Sequence, residues 1–408
     1  MSAAERAMDD LLEASHFAAQ HELPELVAKQ AAALGAHDAL IHLADLQQAV
    51  LVPFRGAAPA AATDVLTIDG TIAGRSFQHM DVLTQELDGD RRRVWLPLID
   101  GTERLGVMCV VVSAADAREI PDGAFGVRLR RFVALVAEML VTKTMYGDTI
   151  VRLRRRAPMG LAAELQWSLL PPLTFSTEQV TVAGALEPAY EVAGDTLDFA
   201  VDAGLTRAAV FDGMGHGLRS SQLATVAVAA YRSLRRSGAD LAATATGIHE
   251  EMLTAFGGNQ FATAVLVELA SETGVLQWTN AGHPPPLLLR GGRFVRELAC
   301  PPAPPLGLAL PIDVQRAGFD IGEEHLEPGD RVLLLTDGVL EARSPEGEFF
   351  GQQRLLDLLG RHFAADLPAP ETMRRVVHAL LAHQQGRLSD DATLLLLEWR
   401  TDARALRY

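Results

Sequence analysis

Cysteine is nearly absent from this chain: Cys109 and Cys300 are the only two in 408 residues. They lie far apart and lack the close spacing of zinc or redox pairs, which excludes a disulfide framework and a zinc finger as organising principles. Two free thiols fit a reducing compartment, so the chain is expected to be cytoplasmic. Long apolar runs are missing as well. The best of them, Phe132–Val141, contains Glu138 and falls well short of the roughly 20 residues that span a bilayer. Met1–Glu13 carries Glu5, Asp9, Asp10 and Glu13 in place of the basic-then-apolar layout of a signal peptide, and no membrane partner is expected.

An excess of positive charge is also lacking. Lys and Arg number 36 against 52 Asp and Glu, for a net charge of -16, whereas neutralising phosphates requires clustered cations. Nucleic acid is therefore not an expected partner, and the clusters Arg91–Arg93 and Arg152–Arg156 read as solvated faces. No glycine-rich phosphate loop of Walker type occurs, which argues against nucleotide-dependent phosphotransfer. What is present is an ordinary globular mixture, 49% hydrophobic and 22% charged, long enough for two domains and a linker.

The first 140 residues read as an α+β unit. Helical spacing through Leu11, Leu12, Ala18, Leu23, Leu26 and Val27 gives way to strand patterns at Ala39–Leu43 and Ala49–Pro53. Arg93–Ile99 and Leu105–Val112 predict a hairpin across Asp100–Gly101, and Gly70 and Gly74 punctuate a strand-to-helix transition within Ile68–Phe77. The words Ile68–Phe77, Trp95–Leu98 and Leu105–Val107 resemble a GAF sensory domain, which implies an unidentified small-molecule or protein signal.

Residues 127–170 carry apolar positions at helical intervals, Leu129, Phe132, Val133, Val136 and Leu140, with Pro158 and Gly160 as interruptions. This predicts a long helix, with 141–172 as a helical linker. Such a helix acts either as a switch, with a homodimer formed through it, or as a passive spacer.

From Val180 onward strands dominate. They are expected at 181–187, 197–202, 207–211, 261–268, 275–279, 286–290, 331–336 and 393–399, interrupted by helices at Ser220–Arg236, started by serine caps, at Leu241–Phe256 and at Pro370–Gln385. Two antiparallel sheets layered with helices satisfy this order, so residues 173–402 are read as an α-β-β-α sandwich and the whole chain as α+β.

Four strand ends place Asp beside Gly or another Asp: Gly194–Asp195, Asp212–Gly213, Asp337–Gly338 and Asp390–Asp391. Carboxylates at the rim of an apolar core, with glycines that admit close backbone approach, suit a hard divalent cation. With no His or Cys cluster at ligand spacing, Mg²⁺ or Mn²⁺ is favoured over Zn²⁺, and two ions about 3.5–4 Å apart activate water between them. Each Asp–Gly alone is a common turn dipeptide, so the joint appearance of all four carries the reading.

The surrounding words are similar to the SpoIIE/RsbU-type branch of the protein phosphatase 2C family over about 240 residues. The motifs, in order, are Leu165–Pro172, Glu191–Phe199, Phe211–Gly217, Asn280–Pro286, Leu335–Ala342 and Ser389–Thr393. The resemblance implies that Asp212 bridges two metals, that the Gly213 carbonyl completes one coordination sphere, that Asp195 serves the second metal and that Asp337 and Asp390 serve the first. Asp391 is the alternative to its neighbour. It further implies hydrolysis of phosphoserine or phosphothreonine on a STAS-domain anti-anti-sigma factor, the rival being a non-catalytic phosphoprotein-binding pseudophosphatase. Ala193, Thr196 and Leu197 depart from the first acidic motif and Trp167 from the leading one, which bears on substrate fit while sparing every carboxylate. His216 and His283 stand open between acid–base and structural roles.

Overall fold

The structure is a computed structural model that describes residues 3–58, 61–187, 190, 194–301, 303–309, 318–386, 388 and 390–400. Chain contacts divide it into a first unit through Pro158 and a second from Met159. This boundary falls within the segment 141–172 expected as a linker.

In the first unit, helices α1 (Ala3–Ser15) and α2 (Leu23–Ala33) precede strands β1 (Asp38–Ala44), β2 (Val50–Phe54) and β3 (Leu66–Thr67). Helix α3 (Ile72–His79), strands β4 (Leu83–Glu86), β5 (Arg91–Asp100) and β6 (Glu103–Ser113), and helices α4 (Ala114–Glu119), α5 (Ala124–Thr144) and α6 (Thr149–Arg154) follow. One antiparallel sheet results, in the order β3-β2-β1-β6-β5-β4. The β5–β6 hairpin closes across Asp100–Gly101, where Gly101 takes φ +59°. The strand-to-helix transition is capped by Thr71, whose hydroxyl accepts from the Gly74 amide at 2.9 Å.

The long helix expected over 127–170 is three helices. Helix α5 ends at Thr144 and buries Leu129, Phe132, Val133, Val136 and Leu140 in the core of the first unit, which makes it an integral part of that unit. Its exit is pinned by buried Gln20. The Gln20 amide nitrogen donates to the carbonyls of Lys143 (2.6 Å) and Gly147 (2.7 Å), and its oxygen accepts from the Ile150 amide (3.1 Å). Backbone groups freed by the break thus keep partners. Helix α7 (Leu161–Leu169) begins beyond the boundary.

His42, on β1, is 5% exposed beside Trp95, and burial pushes its pKa down to about 4. A depressed histidine supplies stability above its unfolded value near 6.5, and that stability is lost as pH falls toward 4 because only the unfolded chain takes up the proton. Two and a half pH units correspond to about 3 kcal/mol. Hydrogen exchange of β1, β5 and β6 amides is expected to accelerate from pH 6.5 to 4 after correction for intrinsic rates, and His42→Leu to flatten that trend. An unchanged trend in the variant would refute the attribution.

The second unit holds two antiparallel sheets. Strands β7 (Thr174–Ser176), β8 (Val180–Glu187), β9 (Asp195–Asp202) and β10 (Leu205–Gly213) lead to helices α8 (Leu218–Arg236) and α9 (Leu241–Phe256). Strands β11 (Ala262–Ala270), β12 (Val275–Ala281), β13 (Leu287–Arg290), β14 (Arg293–Glu297), β15 (Gly322–His325) and β16 (Arg331–Leu335) follow, then helices at Asp337–Glu341, Gly351–Ala364 and Ala369–His383, and finally β17 (Ala392–Trp399). One sheet runs β15-β12-β11-β10-β9 and the other β14-β13-β16-β17-β8-β7. Strand alternation sorts their side chains. Val210, Val332, Leu334, Leu395 and Leu397 enter one core shared by strands of both sheets. Leu333, Leu335, Leu394 and Leu396 pack under Gly351–Ala364 and Ala369–His383, while Ala209 and Phe211 pack under α8 and α9. Strands buried on both faces read as continuous apolar runs, hence Leu394–Leu397.

Helix α8 corrects the expected serine caps. Gly217 occupies the cap at φ +76°, and the Ser220 and Ser221 hydroxyls donate back to its carbonyl. Strands β7, β14 and β15 and the helix Gly351–Ala364 were not anticipated. No helix among the described residues is long and apolar enough to cross a membrane.

Candidate metal centre

Antiparallel pairing of β9 with β10 sets Asp195 directly opposite Asp212, so two carboxylates meet where both strands end. The hairpin register that does this is fixed by the turn Asp202–Leu205, with Gly204 at φ +76°. Close backbone approach is built in beside them. The Gly213 amide donates to the Gly194 carbonyl at 3.1 Å, and a β-carbon on Gly194 would lie 2.2 Å from the Gly213 oxygen.

The other sheet supplies the remaining groups. Asp337 opens a short helix directly after β16, and Asp390 and Asp391 directly precede β17. Gly338 must be glycine, since a β-carbon there would fall 1.8 Å from the Asp391 carbonyl oxygen. Two hydrogen bonds cross between sheets to Asp195. The Thr336 hydroxyl donates to its Oδ2 at 2.6 Å, and its own amide donates to Asp391 Oδ2 at 3.1 Å. Thr336 Oγ1 also accepts from the Thr393 amide at 3.0 Å, and buried Gln166 of α7 donates to the Asp195 carbonyl.

The paired acids differ in setting. Asp391 is 3% exposed and engaged with Asp195, whereas Asp390 is exposed and accepts from the Asp391 amide through Oδ1 at 3.0 Å. Asp337 is likewise exposed. No three metal-type side chains among the described residues converge on one point.

Electrostatics mark the site more sharply than distances do. Burial, then the charges of Asp212 and Asp391, raises the Asp195 pKa well above the carboxylate range. Burial, then Asp337 and Asp390, pushes Asp212 up to about 6. Asp337 is raised by burial, Asp390 and Glu341. The groups resist ionisation for want of countercharge, which is the condition a divalent cation reverses, and an oxygen-only donor set suits Mg²⁺ or Mn²⁺. The residues present therefore fit such an ion.

Neither histidine joins this cluster. His283 is buried, with Thr263 Oγ1 2.8 Å from its Nδ1 and its backbone bonded twice to the Asn280 side chain, and burial drives its pKa down to about 3. It braces the loop after β12. His216 is exposed in the loop between β10 and α8. Glu191, Val192, Ala193 and Ser389 of the predicted motifs lie outside the described residues. Asp198, inside the first acidic motif, is 1% exposed and ties β9 to α8 through Arg232 (2.6 Å) and Arg235 (3.0 Å).

Sequence reasoning missed Thr336, Thr393 and Gln166 as supports. Their signal was present, since Thr336 and Thr393 flank Asp337 and Asp391 within the quoted motifs, while polar Gln166 lies among the apolar residues of the leading motif.

Comparison with known proteins agrees with the motifs. The family described as Stage II sporulation protein E (SpoIIE) matches residues 202–400. Protein IcfG of Synechocystis sp. is 32% identical over 136 residues, covering 33% of this chain and 20% of IcfG. Phosphoserine phosphatase RsbU of Bacillus subtilis is 25% identical over 243 residues, covering 59% of this chain and 70% of RsbU. Among solved structures, the SiaA-PP2C domain of Pseudomonas aeruginosa is 25% identical with a TM-score of 0.48, covering 59% of this chain and 94% of that domain. The chain thus spans one fifth of the first of these curated relatives and about two thirds of the second. Residues 202–400 of the second unit, which carry three of the four acidic strand ends, belong to the SpoIIE family by this match, and the unit as a whole is similar to RsbU.

Proposed function

We propose that the second unit is a Mn²⁺- or Mg²⁺-dependent protein serine/threonine phosphatase that acts in the cytoplasm on a phosphorylated STAS-domain protein of a partner-switching system. The observation that supports this most directly is the register that sets Asp195 opposite Asp212 on β9 and β10, with the Asp195 amide bonded to Asp391 and the charges of Asp337 and Asp390 raising the pKa of Asp212. The name of RsbU supports phosphoserine as the substrate class.

Asp212 would serve both ions and the Gly213 carbonyl one of them, Asp195 would serve the second ion, and Asp337 and Asp390 the first. Bound there, the ions would supply an activated water and shield the phosphate charge. The chain's own part is positioning. Thr336 and the Asp195 amide lock Asp195 against Asp391, which makes Asp391 a brace and leaves exposed Asp390 as the ligand. Neutral His283 holds the β12 loop without moving a proton.

The first unit is read as a GAF-like sensory domain. Its single antiparallel sheet, with α5 on one face and the capped helix α3 following β3, supports this. The motif residues Ile68–Phe77 lie at that β3–α3 transition.

Phosphate release from a phosphorylated STAS-domain protein is the direct test. EDTA is expected to abolish it and added Mn²⁺ to restore it. Full turnover after exhaustive chelation would overturn the metal mechanism, and binding without turnover in Mn²⁺ would mark a pseudophosphatase.

A further inference from the structure

The first unit contains a cavity of about 310 Å³ between α5 and the β5 side of the sheet. That volume is at the lower end of the roughly 300–1,000 Å³ of small-molecule sites. Its floor is apolar, with Leu96 and Val133 almost fully buried and Pro97, Ile99 and Val82 beside them. Met80 adds a flexible thioether from a left-handed backbone position, φ +58°, at the end of α3. A non-glycine residue in that region costs about 1–3 kcal/mol, and such strain clusters at binding sites.

The rim is acidic. Arg130, Ala134 and Glu138 recur every four residues along α5, and so share the face of the helix that lines the cavity. Asp81 and Asp100 complete the rim from the segments around β4 and β5. The single cation of the lining is Arg130, whose Nη1 donates to the carbonyls of Ile120 (2.7 Å) and Pro121 (3.3 Å), which anchors it on the α4–α5 side. Asp81, Asp100 and Glu138 have no ion pair among the described residues.

We infer that this cavity between α5 and β5 is a binding site for a small organic cation with an apolar body, its hydrocarbon lying on Leu96 and Val133 and its charge facing Asp81, Asp100 and Glu138. An anionic ligand would meet three carboxylates against one arginine. A neutral ligand would gain only the floor. The site deepens the sensory reading of the first unit by naming its ligand class, yet binding there requires neither the GAF assignment nor phosphatase activity.

Three probes of one shape separate the contributions: n-octylammonium, 1-octanol and octanoate, titrated calorimetrically into the full chain. The ammonium is expected to bind roughly tenfold more tightly than the alcohol, the scale of a few half-exposed charge contacts, and octanoate more weakly than either. That advantage is expected to shrink between 0.05 and 0.5 M salt, because screening acts on the charge and spares the floor. A chain of net charge -16 attracts cations everywhere, so the control is the triple variant Asp81→Asn, Asp100→Asn, Glu138→Gln, expected to bind ammonium and alcohol alike. Ala134→Trp, at an exposed lining position, is expected to abolish binding of all three. Equal affinities for ammonium and octanoate in the native chain, or an ammonium preference that survives the triple variant, would overturn the proposal. If Ala134→Trp fails to fold, the triple variant alone decides. If the ammonium binds as expected while phosphate release does not respond to it, the site stands and only its link to the catalytic unit falls.

Discussion

Asp212→Asn is expected to abolish turnover and yet make the metal-free chain more stable. Both effects come from one charge. Asp212 is crowded by burial and by Asp337 and Asp390, which raise its pKa to about 6 from 3.8, so at pH 7.5 it is ionised in the folded chain at a cost the unfolded chain does not bear. A shift of that size, reduced for partial exposure, corresponds to about 1–3 kcal/mol of native-state cost that the amide removes. Turnover should fall on the order of 10³-fold, the scale of losing one preorganised electrostatic group. Ion binding shows the same inversion. Mn²⁺ at a hundred times its dissociation constant should stabilise the native chain by about 2.7 kcal/mol and the variant far less. Melting with EDTA and with Mn²⁺, beside phosphate release, reads all three quantities. A variant less stable than the native chain in EDTA would mean that Asp212 is structural.

The two sheets of the second unit were legible where strands are buried on both faces, because Val332–Leu335 and Leu394–Leu397 are continuous apolar runs. They were not legible at the edges. Strand β14 is exposed at all five positions, Arg293–Glu297, and shows the charged character of an edge that resists pairing with other chains. Strand β15 has the same difficulty, with Glu323 and His325 exposed. The helix Gly351–Ala364 was overlooked although its apolar set, Leu355, Leu356, Leu358, Leu359 and Phe363, recurs at helical intervals in the sequence.

The break in the helix expected over 127–170 was overlooked for a different reason. Helical periodicity continues across Thr144 in sequence, and the Lys143 carbonyl beside the break is met by a side chain 123 residues away, Gln20, a hydrogen bond that no local pattern announces. The candidate site was the reverse case. Four Asp-bearing strand ends named the carboxylates from local chemistry, but the difference in setting between Asp390 and Asp391 lies in the hydrogen bond from the Asp195 amide to Asp391, a contact spanning 196 residues.

Gly338→Ala tests whether the two sheets must be held in register for catalysis. The residue directly follows Asp337 and lies two past Thr336, whose amide donates to the Thr393 carbonyl, and its added methyl would fall 1.8 Å from the Asp391 carbonyl oxygen, a contact no rotamer relieves because the backbone fixes both atoms. Either the turn after β16 or the segment before β17 must shift, carrying Asp337 or Asp390 with it. Displacement of reacting groups by about 1 Å can cost roughly 10²-fold in rate, so activity is expected to fall by about that factor, with a stability loss of about 1–3 kcal/mol for overpacking. A general glycine effect has to be separated from this one. Gly329 takes φ +87° with open space where its β-carbon would be, so Gly329→Ala carries backbone strain of about 1–3 kcal/mol without a clash at the carboxylates. Comparable stability losses with an activity loss confined to Gly338→Ala would place the effect at the site. If raising Mn²⁺ restores the Gly338→Ala rate, the shift has weakened ion binding; if saturating Mn²⁺ leaves the rate low, it has misplaced the bound groups. Native-like turnover in Gly338→Ala would show that the segments bearing Asp337 and Asp390 need not be held as the structure holds them.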